Sequence, residues 1–177
     1  MILSGKKIAE EVQKGNIRIE PFNNKNVGHN SYDLTLHNQL LIYKEDILDM
    51  KKKNETKEIT IPEEGLLLEP GQLYLGRTVE RTGSNAFVPM IEGRSSVGRL
   101  GLCIHVTAGF GDIGFNGTWT LEIFCLKPIR IYPGVRIGQL YFHTIDGDFE
   151  LYGQREDYVS KYNNQESVKS SQLYDDF

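Results

Sequence analysis

The second half of the sequence is a series of short apolar runs separated by glycine and proline, and this pattern constrains the fold most strongly. The runs cover residues 66–68, 72–79, 87–91, 102–107, 118–126, 129–131 and 135–143. Turn-forming segments separate them at 69–71, 83–85, 127–128 and 132–134. Many short strands at near-regular spacing are typical of sandwiches, jelly rolls and barrels. The sequence therefore predicts an all-β fold, either a jelly roll or a distorted β-barrel.

The first third of the chain adds one helix and one long strand. Ser4 can cap a helix that runs through Lys14, and Gly15 suits the position after it. In residues 32–43, apolar residues recur in the pattern of a strand, so a strand is predicted there. The highly charged segment 44–64, which has lysines at 51–53, is interpreted as a solvated hairpin or exposed loop. A phosphate-binding loop is the alternative.

Length and composition exclude several classes of protein. A chain of 177 residues is expected to form a single domain, 1–177. The net charge of −4 argues against a nucleic-acid partner, and no apolar run is long enough to predict a membrane span. The N-terminus does not read as a signal peptide, and the two cysteines are expected to be reduced thiols, so a cytoplasmic location is predicted. The four histidines have no metal-ligand spacing.

The turn 93–96, which reads Gly-Arg-Ser-Ser, is a candidate phosphate-binding element. Its glycine allows close backbone approach, and two hydroxyls and free backbone N–H groups can bind phosphate oxygens. Arg94 and Arg99 add charge-assisted hydrogen bonds. The motif is not a P-loop, and a capped turn with surface arginines is the alternative.

The segment 109–117 holds four glycines in nine residues, more than a tight turn needs. It predicts a hairpin that can wrap a flat ring, with Asp112 accepting from a sugar hydroxyl. Phe110 and Phe115 would stack or pack. An ordinary wide hairpin is the alternative.

Glu122 is the single acidic residue of the strand 118–126. Alternation places it on the face opposite Trp119, Leu121, Ile123 and Cys125. Burial disfavours a charged carboxylate unless it is paired or used, so Glu122 is a candidate general base and acid, with a distant salt bridge as the alternative. Beside a nucleotide, such a group can drive hydrolytic deamination. The H-x-E and P-C-x-x-C motifs of zinc deaminases are absent, so the chemistry is expected to proceed without zinc.

Four ordered motifs closely resemble those of the dCTP deaminases of the dUTPase-like superfamily. They are GRSSVGRLGL, HVTAGFGDIGFNG, TLEI and GVRIGQL, and the likeness extends to the tail at 161–165. The resemblance implies a distorted β-barrel of the trimeric dUTPase type, with active sites between subunits. The polar tail 152–177, which alone suggests disorder, would instead close over the nucleotide.

The resemblance also implies a set of site residues. Those expected to contact the nucleotide are Arg94, Ser95, Ser96, Val97, Gly98, Arg99, Asp112, Thr120, Leu121, Glu122, Gln139, Tyr152, Lys161 and Gln165. Glu122 would act as the proton shuttle, and Ser95 and Arg99 would help to order the catalytic water. Thr107 and Ala108 would present main-chain groups to the base and water. Mg²⁺ would accompany the triphosphate. The substrate would be dCTP, and dTTP is an expected feedback inhibitor.

Members of this family release either dUTP or dUMP, and Gly109 with Phe110 resembles the dUMP-forming type. A small residue at 109 would leave room for a second water near the α-phosphate. The alternatives are a monofunctional deaminase, a plain dUTPase, and a catalytically silent nucleotide-binding module. Departures from the family pattern include His29-Asn30-Ser31 before the Tyr-Asp-Leu motif, and Gly111 in place of the more usual isoleucine.

Overall fold

The computed structural model describes residues 1–105, 107–155 and 157–177. It contains ten strands and two helices in its described part. The strands are β1 (Ile17–Glu20), β2 (Tyr32–Tyr43), β3 (Thr56–Thr60), β4 (Leu66–Leu68), β5 (Tyr74–Ser84), β6 (Val88–Gly93), β7 (Leu102–Cys103), β8 (Asn116–Cys125), β9 (Ile129–Ile131) and β10 (Arg136–His143). The helices are α1 (Gly5–Gln13) and α2 (Ser95–Gly98), and single 3-10 turns cover Asn24–Asn26 and Leu173–Asp176.

Helix α1 begins and ends where the sequence predicts. The Ser4 hydroxyl accepts a hydrogen bond from the Lys7 backbone N–H, and Gly15 follows the helix with a φ of 78°. The side chain of Glu11 is buried on this helix, where it meets Lys7, Lys14 and Asn16. Because these groups stabilise the charged carboxylate, the pKa of Glu11 is lowered to about 2, with the Asn16 hydrogen bond as the largest cause.

The strands form a barrel-like antiparallel sheet. Its order is β6-β10-β2-β5-β8-β7, with β1 added to β5 and β3 added to β2, while β4 and β9 pair separately. A bridge between Met90 and Phe110 connects β6 to the segment before β8, so the sheet nearly closes on itself. The predicted all-β distorted barrel with a short N-terminal helix is confirmed.

Two strands were not predicted, and two predicted boundaries are wrong. The turn at 83–85 is displaced because β5 continues to Ser84, where it pairs with the unpredicted strand β1 through Ile17. The strand predicted at 102–107 is limited to Leu102–Cys103, and its residue Val106 lies outside the described residues. The charged segment 44–64 is a hairpin, as expected, because β3 pairs with the end of β2.

The core lies inside the barrel. It is built from inward-facing residues of β2, β8 and β10, including Leu34, Leu36, Leu121, Ile123 and Leu140, which are each at most 1% exposed. Burial of one such side chain contributes about 1.5–3 kcal/mol. Cys103 and Cys125 are both free thiols, as expected. Among the described residues, no helix has the length and apolar character needed to cross a bilayer.

Candidate active site

Strand β8 places Glu122 at the edge of the core. The strand alternates as predicted, because Trp119, Leu121 and Ile123 are buried while Thr120 and Glu122 are half-buried on the opposite face. Glu122 lies opposite Leu75 of β5 in the antiparallel register. It also interacts with other groups of the chain. A regular central strand therefore fixes the backbone of the one carboxylate that the sequence singles out there.

The side chains of Thr120 and Glu122 face a cavity of about 490 Å³, which we call the β8 cavity. Its apolar walls come from β5, β8 and the preceding hairpin, and include Leu73, Leu75 and Phe115. Its polar groups include Asp112, Thr120, Glu122, Tyr152 and Gln165. Five of the residues that the sequence assigns to a nucleotide site are thus brought together here.

The C-terminal segment forms one wall of the β8 cavity. The backbone of Gln165 accepts a hydrogen bond from the Thr118 N–H at 3.0 Å, and the Gln165 side-chain N–H group donates to Thr118 and Thr120. Gln165 is only 6% exposed, yet its Oε1 atom has no hydrogen-bond partner among the described residues. A buried acceptor of this kind is costly unless a ligand or water satisfies it. Gln165 is therefore well placed to receive a hydrogen bond from a bound molecule.

Tyr152 and Asp112 lie at the opening of the same cavity. The Tyr152 hydroxyl accepts a hydrogen bond from the Tyr162 N–H at 3.2 Å, and burial raises the pKa of Tyr152. The Asp112 carboxyl lies at the rim, where partial loss of solvent raises its pKa above the ordinary value. Asp112 therefore holds its proton more readily than a fully solvated aspartate.

Gly111 packs directly against the ring of Trp119. A Cβ atom at position 111 would lie 2.4 Å from Cη2 of the Trp119 ring and 2.9 Å from the Pro89 carbonyl oxygen. The indole occupies the space that a larger residue at 111 would need, and its Nε1 donates to Thr82 at 2.8 Å. Trp119 and Gly111 therefore form a complementary pair in the cavity wall.

A second cavity, of about 880 Å³, lies beside the Gly-Arg-Ser-Ser turn, and we call it the α2 cavity. Its lining includes the predicted residues Arg94, Ser95, Ser96, Gly98 and Gln139. Ser95 and Ser96 are exposed on α2, so their hydroxyls are accessible. The many polar groups suit an anion that keeps part of its hydration.

Gln139 on β10 connects the walls of the α2 cavity. Its Oε1 accepts from the Ser31 hydroxyl at 3.0 Å, and its Nε2 donates to the Gly93 carbonyl oxygen at 3.1 Å. Ser31 belongs to the stretch where the sequence departs from the usual family motif. The Ser31 hydroxyl helps to orient the Gln139 side chain beside the turn 93–96.

The predicted site residues are thus divided between two cavities, which share no lining residue in the described part of the chain. Among the described residues, a third group of predicted site residues lines neither cavity: Val97, Arg99, Thr107, Gly109, Leu121 and Lys161. Leu121 is 1% exposed in the core, so only its main chain can reach a ligand. Lys161 forms an ion pair with Asp176.

The space beside Gly109 is already filled by protein. A Cβ atom there would lie 2.5 Å from the Ile91 carbonyl oxygen and 2.8 Å from the His105 ring. The Ile91 N–H also donates to the Gly109 carbonyl oxygen at 2.8 Å. Glycine at this position therefore allows tight packing of the hairpin on β6. Phe110, the next residue, is 70% exposed and lines the β8 cavity.

Sequence reasoning missed several contributors to these cavities, and two of them are Asp33 and Tyr43. Asp33, on β2, lines the α2 cavity, and its being the only acidic residue of that strand was the available signal. Tyr43, at the end of the same strand, lines the β8 cavity and accepts a hydrogen bond from the Ser171 N–H at 3.1 Å. Among the described residues, no group of three or more His, Cys, Asp and Glu side chains could hold a metal ion.

Comparisons with known proteins identify the family of this chain. The family model described as dCTP deaminase-like matches residues 2–145. The chain is 60% identical to a dUMP-forming dCTP deaminase of Hathewaya histolytica over 177 residues, covering 100% of this chain and 99% of the relative. It is 55% identical to the dUMP-forming dCTP deaminase of Cytophaga hutchinsonii, again over 100% of this chain and 99% of the relative.

The structure resembles that of a 2'-deoxycytidine 5'-triphosphate deaminase from Agrobacterium tumefaciens, with a TM-score of 0.65 and 20% identity. The match covers 81% of this chain and 48% of the other, and at this identity it supports the fold alone. The family match and the close relatives, which extend over nearly the full length of the chain, place this protein in the dCTP deaminase-like family.

Proposed function

We propose that this protein converts dCTP and two waters into dUMP, ammonia and pyrophosphate. The observation that carries the proposal is a half-buried carboxylate, Glu122, facing a largely apolar cavity that also presents the buried acceptor of Gln165. The names of close relatives support the same reaction. An apolar cavity with a few placed polar groups is the usual form of a small-molecule site.

Glu122 performs the proton transfers of deamination. A water adds to C4 of the cytosine while Glu122 takes one of its protons and passes it to N3. Glu122 then takes the remaining proton of the new hydroxyl group and delivers it to the amino nitrogen. The C4–N bond breaks, ammonia leaves, and a carbonyl remains at C4. A single carboxylate can carry out these transfers in turn, because it takes up a proton in one step and returns it in the next. These proton transfers use only water and Glu122 and need no zinc.

The separation of the cavities supports an active site shared between subunits. The β8 cavity supplies groups for the base and sugar, and the α2 cavity supplies groups for a triphosphate, yet one chain keeps them apart. A neighbouring copy that brings its α2 cavity to the β8 cavity would complete the site. We propose a homotrimer, in which Ser95 and Arg99 of one subunit act beside Glu122 of another.

The second half of the reaction takes place at the triphosphate. Arg94, Ser95, Ser96 and Arg99 would hold its oxygens through charge-assisted and hydroxyl hydrogen bonds. A second water attacks the α-phosphorus, the bond to the bridging oxygen breaks, and pyrophosphate leaves. Mg²⁺ would be bound mainly by the phosphate oxygens and would neutralise their charge. This fits the scarcity of clustered carboxylates among the described residues.

Three further features belong to the proposal. The tail 152–177, which already lies against β8, would tighten over bound nucleotide through Tyr152, Lys161 and Gln165. The Asp112 carboxylate would accept from the deoxyribose hydroxyl. The product dUMP serves thymidylate synthesis in the cytoplasm, and dTTP would bind the same site as a feedback inhibitor.

A product analysis tests the proposal. The protein is incubated with dCTP and Mg²⁺, and ammonia, dUTP, dUMP and pyrophosphate are followed together. Equal amounts of ammonia, dUMP and pyrophosphate are expected. Ammonia with accumulating dUTP would indicate the monofunctional enzyme. In a parallel incubation with dUTP, hydrolysis of dUTP without any turnover of dCTP would indicate a dUTPase. Tight dCTP binding without turnover would indicate a silent binding module.

A further inference from the structure

Asp33 lies between two arginines at the α2 cavity. Its Oδ1 atom is 3.1 Å from Nε of Arg94, and its Oδ2 atom is 3.3 Å from Nη1 of Arg136. The Asp33 side chain is 16% exposed, whereas those of Arg94 and Arg136 are 29% and 48% exposed. One shielded carboxylate therefore holds two guanidinium groups that reach solvent.

The sheet register brings these groups together. Strands β2 and β10 are antiparallel neighbours, with Asp33 opposite Gln139, and an irregularity in β10 follows Arg136. Arg94 comes directly after β6, on the other side of β10, and its Nη1 donates to the Arg136 carbonyl oxygen at 3.1 Å. Two contacts thus fix the plane of the Arg94 guanidinium.

The charges explain what such an arrangement can do. Two arginines and one aspartate leave a net positive charge, so the cluster still attracts an anion. The carboxylate weakens that attraction, but it orients both guanidinium groups before the anion arrives. Pre-oriented groups lose less conformational entropy on binding, and the planar guanidinium gains most from correct orientation.

We propose that Asp33 is a positioning residue for the triphosphate, and that it presents Arg136 together with Arg94 as a second phosphate-binding cation. Arg136 belongs to the GVRIGQL motif but is not among the residues that the sequence predicts to contact the nucleotide. The identity of the nucleotide rests on the proposed function. The role of Asp33 rests on the ion-pair geometry and on the position of Asp33 and Arg94 in the lining of the α2 cavity. Arg136 is not itself part of that lining, and its contacts with Asp33 and Arg94 place it beside the cavity.

Asp33→Asn tests the inference, because it removes the charge and keeps the shape. Binding of inorganic tripolyphosphate and of dCTP is measured by calorimetry, together with KM and kcat. Both ligands are expected to bind about tenfold more weakly, as for a lost charge-assisted contact, while kcat changes little. Glu20→Gln is the matched control, because it removes an exposed ion pair with Arg18 on β1. The control should bind both ligands as the unmodified protein does.

Unchanged or tighter tripolyphosphate binding by Asp33→Asn would overturn the inference. Should Asp33→Asn fail to fold, Arg136→Gln provides the test, because it leaves the Asp33–Arg94 pair in place. Arg136→Gln is expected to weaken tripolyphosphate binding several-fold, and unchanged binding would overturn the assignment. Asp33-dependent binding of tripolyphosphate without any ammonia release from dCTP would contradict the proposed function and leave the role of Asp33 standing.

Discussion

The two cavities differ in construction. The β8 cavity is largely apolar, its residue Glu122 lies on a ten-residue strand, and the C-terminal segment covers part of it. The α2 cavity is larger and more polar, and its residues include those of a four-residue helix and the adjoining parts of β2, β6 and β10. One region limits access of water to the Glu122 carboxylate, and the other places Arg94 and two serine hydroxyls in contact with solvent.

This difference corresponds to two different chemical tasks. Proton transfer at a base benefits from a partly dehydrated carboxylate held by a rigid strand. A triphosphate is strongly hydrated, so its recognition depends on cations and hydroxyls placed by short turns. Because one chain keeps the two regions in separate cavities, assembly of several copies is the simplest way to apply both to one nucleotide.

Removing the carboxylate from the β8 cavity gives the largest expected effect. Glu122→Gln should lower ammonia release from dCTP by about 10²–10⁴-fold, the usual contribution of a general acid–base group. Binding of dCTP should persist, since the α2 cavity is unchanged. Glu64→Gln, at an exposed turn, is the control and should keep full activity. A Glu122→Gln protein with normal ammonia release would rule out the proposed mechanism.

Replacing one glycine in the lining of each cavity with alanine shows how tightly the two regions are packed. Gly111→Ala should reduce the free energy of unfolding by about 1–3 kcal/mol, because the new methyl meets Trp119 and the Pro89 carbonyl. Gly98→Ala on α2 should be neutral or slightly stabilising, because a Cβ atom there meets nothing within 4 Å. Urea denaturation measures both.

Trp119→Leu in the Gly111→Ala background sharpens this test. Trp119→Leu costs stability on its own, but Gly111→Ala should cost less in the Trp119→Leu background than in the unmodified protein, because the ring responsible for the closest contact is removed. Some cost should persist, since the Pro89 carbonyl stays close. Equal destabilisation by Gly111→Ala and Gly98→Ala would contradict the contrast between a tightly packed and an open region.

The smallest expected effect concerns pH. Burial raises the pKa of Asp112 above its ordinary value, so this carboxyl takes up a proton at a higher pH than a solvated aspartate. As pH falls through that raised pKa, Asp112 loses its charge and dCTP should bind a few-fold more weakly. The same shift favours the folded protein on acidification, because the folded state binds this proton more tightly.

Asp112→Asn should therefore bind dCTP weakly at neutral pH, and its KM for dCTP should rise less than that of the unmodified protein as the pH falls. The measurement is KM for dCTP from pH 7 downward, with tripolyphosphate binding followed in parallel. Tripolyphosphate binding should keep the same pH dependence in both proteins, because it uses the α2 cavity. If KM for dCTP rises on acidification as steeply in Asp112→Asn as in the unmodified protein, Asp112 does not contact the nucleotide.

The sequence predicted the barrel and the faces of β8 well, because buried strands alternate in a way that periodicity detects. It missed β3, whose residues are mostly exposed on both faces, and β1, which has only four residues. It also missed the Asp33–Arg136 contact, because a separation of 103 residues leaves no local pattern. The motifs named candidate site residues without revealing that many of them line two separate cavities, which depends on the path of the whole sheet.

Mixing two inactive variants tests the central claim most directly. Arg94→Ala damages the α2 cavity and Glu122→Gln damages the β8 cavity, so each alone should release little ammonia from dCTP. The two variants are unfolded and refolded together in equal amounts, so that the proposed trimers contain both. Each shared site needs an intact α2 cavity from one subunit and an intact Glu122 from another, and each is present about half of the time. The mixture should therefore regain about a quarter of the unmodified activity. A mixture as inactive as its components would show that both halves of the site belong to the same chain.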